Sequence, residues 1–150
     1  MPSDKSAWMK RVKDVEREHT ATRFAADHLL GVVQQDPTAL KGEVQVRDLH
    51  LASDQLEGTY MIRLFAEFET SLRVFWLASR VKDPPARTRD LLDGVGAKRR
   101  IPYDRIQQAH EVGEYRNVLV HEREEEVELI PIHKARSHLC RFLSFLPPAW

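Results

Sequence analysis

Met61-Ile62-Arg63-Leu64-Phe65-Ala66-Glu67-Phe68-Glu69-Thr70-Ser71-Leu72-Arg73-Val74-Phe75-Trp76 decides the fold class. Met61, Phe65, Phe68, Leu72, Phe75 and Ser79 follow one another at steps of three and four, which is the period of one helix face. Leu64 and Trp76 widen that seam. A stripe this rich in aromatics is core, not a cofactor-binding box. The pattern predicts a helix over about Ser53 to Arg80, and Asp83-Pro84-Pro85 ends it with a rigid extended turn.

Upstream, Trp8, Val12, Val15, Thr22, Ala26, Leu29 and Val33 give a second stripe, with His19 filling its gap. They predict a long helix from about Asp4 to Gln35, capped by Ser3 or Asp4 and stopped by Asp36-Pro37. Lys41 to Leu51 reads two ways. Val44 and Val46 alternate with polar residues as in a short strand, and a short helix leading into the next element fits equally. Downstream, a short helix is expected near Thr88 to Asp93, broken by Gly94 and Gly96.

Pro102 suits the first turn of a helix over about Tyr103 to His121. Ile106, Ala109, Gly113 and Val120 form its inward line, and Gly113 implies close approach by another helix. Val127-Glu128-Leu129-Ile130-Pro131 reads as a short extended segment. A last helix over about His133 to Leu146 presents Ala135, Leu139, Phe142, Leu143 and Leu146. These elements predict an all-α, antiparallel four- to five-helix bundle in one domain, residues 1–150.

Composition narrows the function classes. The chain has 150 residues, enough for one domain with a continuous core. No apolar run approaches the roughly 20 residues of a membrane span. Met1-Pro2-Ser3-Asp4-Lys5 leads into charge rather than into a signal region, so a cytoplasmic location is expected. The single cysteine, Cys140, fits a reducing compartment and excludes an internal disulfide framework. Its place on an apolar-rich helix argues against thiol catalysis.

The formal net charge is zero, against bulk coating of nucleic acid. The charge is nevertheless uneven. From Arg80 to Arg105 there are eight basic residues to four acidic, with Lys98, Arg99 and Arg100 adjacent. From Glu111 to Glu128 there are seven acidic to two basic.

The residues with the most chemistry are Arg116-Asn117-Val118-Leu119-Val120-His121. Arg carries a permanently charged planar fork that suits phosphate oxygens. His is the side chain that gives or takes a proton near neutrality. The spacing alone means little, because Arg23 and His28, and Arg105 and His110, repeat it. Context separates the third pair: Asn117 follows directly, the interior is apolar, and the helix ends just after His121. Asn117 and His121 are four apart and share a face, so the amide can orient the imidazole. Arg116 lies about 100° around from Asn117.

Tyr115-Arg116-Asn117-Val118-Leu119-Val120-His121 resembles the signature of the HEPN superfamily, an Arg, often followed by Asn, then a His after four to six residues. The preceding helix with Leu64-Phe65-Ala66-Glu67-Phe68-Glu69, and the short trailing helix, are similar to that family's layout. The resemblance implies metal-independent RNA cleavage at a composite site shared by two subunits. It implies a catalytic set of Arg116, Asn117 and His121, with Arg116 stabilising phosphoryl charge and His121 moving the proton. Tyr115 belongs to the same motif. Glu67 or Glu69 orients Arg116 from the facing helix, or the two are simply an exposed acidic pair.

The glutamates after His121, namely Glu122, Glu124, Glu125 and Glu126, make a poor entrance for a polyanion. RNA would then need Lys98, Arg99, Arg100 and Arg105, or a second subunit, to supply its groove. A basic protein partner, such as an antitoxin, is the other occupant that stretch suits. HEPN-like domains without nuclease activity also occur, as binding or regulatory modules. Neither cofactor nor metal is expected: His133 and His138 lack a third ligand, and no glycine-rich phosphate loop follows a strand.

Overall fold

In a computed structural model, the described residues are 1–79, 82–121 and 127–150. They form five helices: α1 (Lys5–Gln35), α2 (Val46–Ala78), α3 (Thr88–Arg99), α4 (Tyr103–His121) and α5 (Ile132–Leu143). The architecture is an all-helical bundle, with α2 in contact with each of the other four helices. No helix among the described residues is long and apolar enough to cross a membrane.

The aromatic seam explains why α2 is central. Met61, Leu64, Phe65, Phe68 and Leu72 are fully buried, and Phe75 nearly so. Phe68 meets Phe142 of α5 edge to face, with centroids 5.4 Å apart. Aromatic pairs at this spacing add about 0.5–1.5 kcal/mol beyond their area. The expected inward residues of the last helix, Ala135, Leu139, Phe142, Leu143 and Leu146, are all buried. Cys140 lies among them, and burial pushes its thiol pKa up, which keeps it unreactive.

Helices α1 and α2 run antiparallel. Arg11 faces Glu67, Glu18 faces Arg63 and Thr22 bonds Tyr60, so position falls on one helix as it rises on the other. Asp4 Oδ1 accepts from the Ala7 amide at 2.8 Å and caps α1, and Asp36 closes its far end. The two helices are unevenly packed along their length. Trp8, Val12 and Val15 are buried near one end, whereas Val33 is the one buried residue in the second half of α1. Leu29, expected on the inward stripe, is 37% exposed.

Several boundaries differ from the sequence reading. The Val44–Val46 alternation is no strand: residues 37–44 form turns, and α2 begins at Val46, earlier than Ser53. The seam marks only the buried half of α2, so the exposed half had no stripe to show. The expected end of this helix at Arg80 lies outside the described residues. Helix α3 continues through both glycines to Arg99. A Cβ on Gly94 would stand 2.8 Å from the Trp76 ring, and one on Gly96 would stand 2.5 Å from Ile106 Cδ1. These glycines let neighbours approach rather than break the helix. Its actual stop is Arg100, at φ +52°, with Ile101 N–H donating to the Gly96 carbonyl at 2.9 Å.

On α4 the inward line is Ala109 and Val112, while Val120 is 44% exposed. Gly113 does carry a close approach, since a Cβ there would sit 3.1 Å from the Phe65 ring. Residues 127–131 are non-helical, as expected, with Ile130 buried. The final helix starts at Ile132, where Glu57 of α2 accepts the Ile132 amide at 2.8 Å and serves as its cap.

Candidate functional site

Helix α4 presents Arg116 toward α2 and the start of α3. The guanidinium carbon stands 4.8 Å above the Phe65 ring centroid, and Nη2 is 3.5 Å from Glu69 Oε2. The side chain is 23% exposed, and its buried Nε has no hydrogen-bond partner among the described residues. Gly113, one turn before Arg116, is what lets Phe65 lie close enough to form this floor.

Glu69 ties four elements together. Its Oε1 accepts from Arg73 Nη2 at 2.7 Å and Nε at 3.2 Å, and from the Thr88 hydroxyl at 3.0 Å. Arg73 Nη1 also donates to the Pro85 carbonyl at 2.9 Å. One carboxylate thus joins α2, the proline turn, the first residue of α3 and Arg116. Of the two acids on the facing helix, Glu69 is the one that meets Arg116. Glu67 turns away to Arg11 of α1, at 3.8 Å.

A narrow cleft of about 50 Å³ is lined by Thr88, Arg89, His110, Glu114, Arg116 and Asn117. Asn117 therefore sits beside Arg116, as expected. His121 is exposed at the end of α4, one turn beyond Asn117 on the same stripe. Tyr115 points elsewhere: with Glu57 and Leu119 it lines a cavity against α2, and burial raises its pKa.

Two residues of the cleft escaped the sequence reading. Arg89, the second residue of α3, pairs with Glu114 at 3.7 Å. His110 is 7% exposed and its Nε2 lies 2.6 Å from Asp93 Oδ1. Helices α3 and α4 run antiparallel, which brings Asp93 to His110 and Thr88 toward Arg116. The Arg105–His110 repeat was the available signal, and Asp93 gave it no sequence-local partner.

The same antiparallel pairing separates the basic cluster from the cleft. Lys98, Arg99 and Arg100 lie at the far end of α3, about 16 Å from Thr88 along its axis. Lys98 stands 5.8 Å from the Phe75 ring centroid, and Arg99 donates to the Phe145 carbonyl. Arg105 is engaged with Gln108 at 3.2 Å. The acidic residues Glu122, Glu124, Glu125 and Glu126 lie outside the described residues.

A second cavity, of about 250 Å³, adjoins the cleft and shares Arg89, His110 and Glu114 with it. Its other side is formed by Val127, Glu128 and Ile130 and by Lys134 and His138 of α5. His138 is 8% exposed and its buried Nδ1 has no hydrogen-bond partner among the described residues. Burial, chiefly, with Lys134 nearby, lowers its pKa. Among the described residues no group of three or more His, Cys, Asp or Glu is placed to hold a metal ion. Comparison with protein-family models, with curated proteins and with solved structures gives no match.

Proposed function

We propose that this chain is a metal-independent endoribonuclease of HEPN type, a toxin or defence effector working in the cytoplasm as a homodimer. The single observation that carries this reading is the contrast at the end of α4: Arg116 is fixed by Glu69 beside Asn117, while His121 stands exposed. A cation held in place before substrate arrives stabilises developing charge without reorganisation. An exposed imidazole at a helix end is open to a second subunit.

In the proposed reaction His121 removes the proton from a ribose 2′-hydroxyl, whose oxygen attacks the adjacent phosphorus. Arg116 neutralises charge building on the phosphoryl oxygens, and Asn117 sets the imidazole. The O5′–phosphorus bond breaks, and the partner subunit's His121 protonates the leaving oxygen. The products carry a 2′,3′-cyclic phosphate and a 5′-hydroxyl, and no water or metal enters this step. Arg89, which lines the cleft, would meet a flanking phosphate, and Lys98, Arg99, Arg100 and Arg105 meet RNA farther along.

One observation favours a second reading, a non-catalytic HEPN-like interaction or regulatory module. Arg116 is largely covered, ion-paired and stacked on Phe65, which is how a purely structural arginine is held. The deciding experiment incubates RNA in EDTA with the wild-type protein and with His121→Ala. Cleavage by the wild type that disappears in the variant supports the nuclease. Cleavage that survives in the variant removes the mechanism, and a folded wild type that cleaves no RNA favours the module.

A further inference from the structure

The cavity beside the Arg116 cleft has a size and lining that select a ligand. Its volume of about 250 Å³ falls below the about 300–1,000 Å³ of pockets that enclose drug-sized molecules. That leaves room for one planar ring system. Two imidazoles line it, His110 and His138, each less than a tenth exposed. Asp93 fixes the first, and the buried, neutral state of the second suits stacking rather than ion pairing. Imidazole faces of this kind stack on unpaired bases of single-stranded RNA. Val127 and Ile130 add apolar wall.

The polar lining then chooses among bases. Arg89 and Glu114 are paired with each other and Gln107 offers an amide; of the rest, Glu111 and Glu128 offer carboxylates, which only accept hydrogen bonds, and Lys134 offers an ammonium, which only donates. Guanine presents two adjacent N–H donors, N1–H and the 2-amino group, beside one acceptor, O6. A carboxylate and an ammonium satisfy that edge together. Adenine and cytosine set a ring-nitrogen acceptor beside their amino group, and uracil flanks its one donor with two acceptors. Each of these turns a lone pair toward a carboxylate.

We propose that this cavity takes one guanine of a single-stranded RNA, the base of the nucleotide whose phosphate lies at Arg116. The shared border of Arg89, His110 and Glu114 makes the two spaces continuous, so base and phosphate of one nucleotide occupy both. The inference rests on the ribonuclease reading for its RNA source, while the base preference is independent of cleavage.

The test is binding of short 2′-fluoro oligoribonucleotides, which lack the attacking hydroxyl and so cannot be cleaved. One carries a single guanine in a uridine background, others carry adenine or cytosine there, and one is uridine only. The guanine oligonucleotide is expected to bind about tenfold or more tightly than the others, the worth of one well-paired base edge. Glu111→Gln and Glu128→Gln, each confirmed folded by its thermal melt, are expected to reduce the ratio of guanine-oligonucleotide to uridine-only binding. Equal binding of all four oligonucleotides, or no binding, overturns the proposal. Guanosine monophosphate that binds while the guanine oligonucleotide does not also overturns it, assigning the pocket to a free nucleotide. Guanine-selective binding by a protein that cleaves no ordinary RNA upholds the pocket and removes the nuclease reading, so the two failures are distinguishable.

Discussion

Helix α4 carries the same spacing twice, and the two copies are folded in opposite ways. In Arg105–His110 the histidine is buried against Asp93, while the arginine lies along its own helix beside Gln108. In Arg116–His121 the arginine is clamped between Phe65 and Glu69, while the histidine is exposed. What differs is the neighbour, not the spacing. Helix α3 runs past the first pair and delivers Asp93, whereas at the second pair α2 crosses under Arg116 and α4 ends. In the proposed function, the fixed imidazole serves recognition, and the fixed cation beside an open imidazole serves proton transfer.

The largest effect that would break this contrast is on RNA cleavage in EDTA. Loss of a positioned general base or acid costs about 10²–10⁴-fold, so His121→Ala is expected to fall by that factor and His110→Ala by clearly less. Equal losses would erase the distinction. Next comes Glu69→Ala. It leaves Arg73 and Arg116 without their shared carboxylate, and partly buried groups stripped of a partner cost about 1–3 kcal/mol. Urea unfolding measures that loss, and an unchanged midpoint would show that Phe65 alone holds Arg116.

A smaller effect is expected for Asp93→Asn. The neutral amide still meets His110, so the loss is about 0.5–1.5 kcal/mol, read from the same unfolding curves. The smallest is a pH dependence from His138. Its folded pKa is lowered, so the unfolded chain binds the extra proton first as pH falls. Stability from this residue is full above the ordinary histidine pKa and is lost as pH drops toward the lowered folded value. Thermal melts from pH 7.5 to 5.5 are expected to fall less steeply for His138→Leu than for the wild type. Parallel slopes would show that His138 does not stay neutral.

The fold was legible wherever one helix face stayed buried along its whole run. The Met61–Phe75 seam and the Ala135–Leu146 stripe name their own burial, because period and apolarity coincide. Gly94 and Gly96 misled because the reason for them is supplied by Trp76 and Ile106, which lie elsewhere in sequence. Leu29 and Val120 misled because an apolar stripe promises burial, and both stay more than a third exposed among the described residues. In the candidate site, Arg116 beside Asn117 was readable from adjacency. Choosing Glu69 over Glu67 required knowing which side of α2 faces α4. Asp93, Arg89 and the cavity behind His110 depend on the antiparallel register of α3 and α4, which no local spacing encodes.

The thin packing at the far end of α1 and α2 has a kinetic consequence. Past the Thr22–Tyr60 bond, α1 continues for some 13 residues, about 20 Å of helix, with Val33 its one buried side chain. Regions with few buried apolar contacts open at far lower cost than the core. Amides of Ala25 to Gln35 are therefore expected to exchange with deuterium through local opening, while those around Phe65 and Phe68 exchange only when the whole bundle unfolds. The hairpin tip can fray and re-form without disturbing the carboxylate clamp on Arg116.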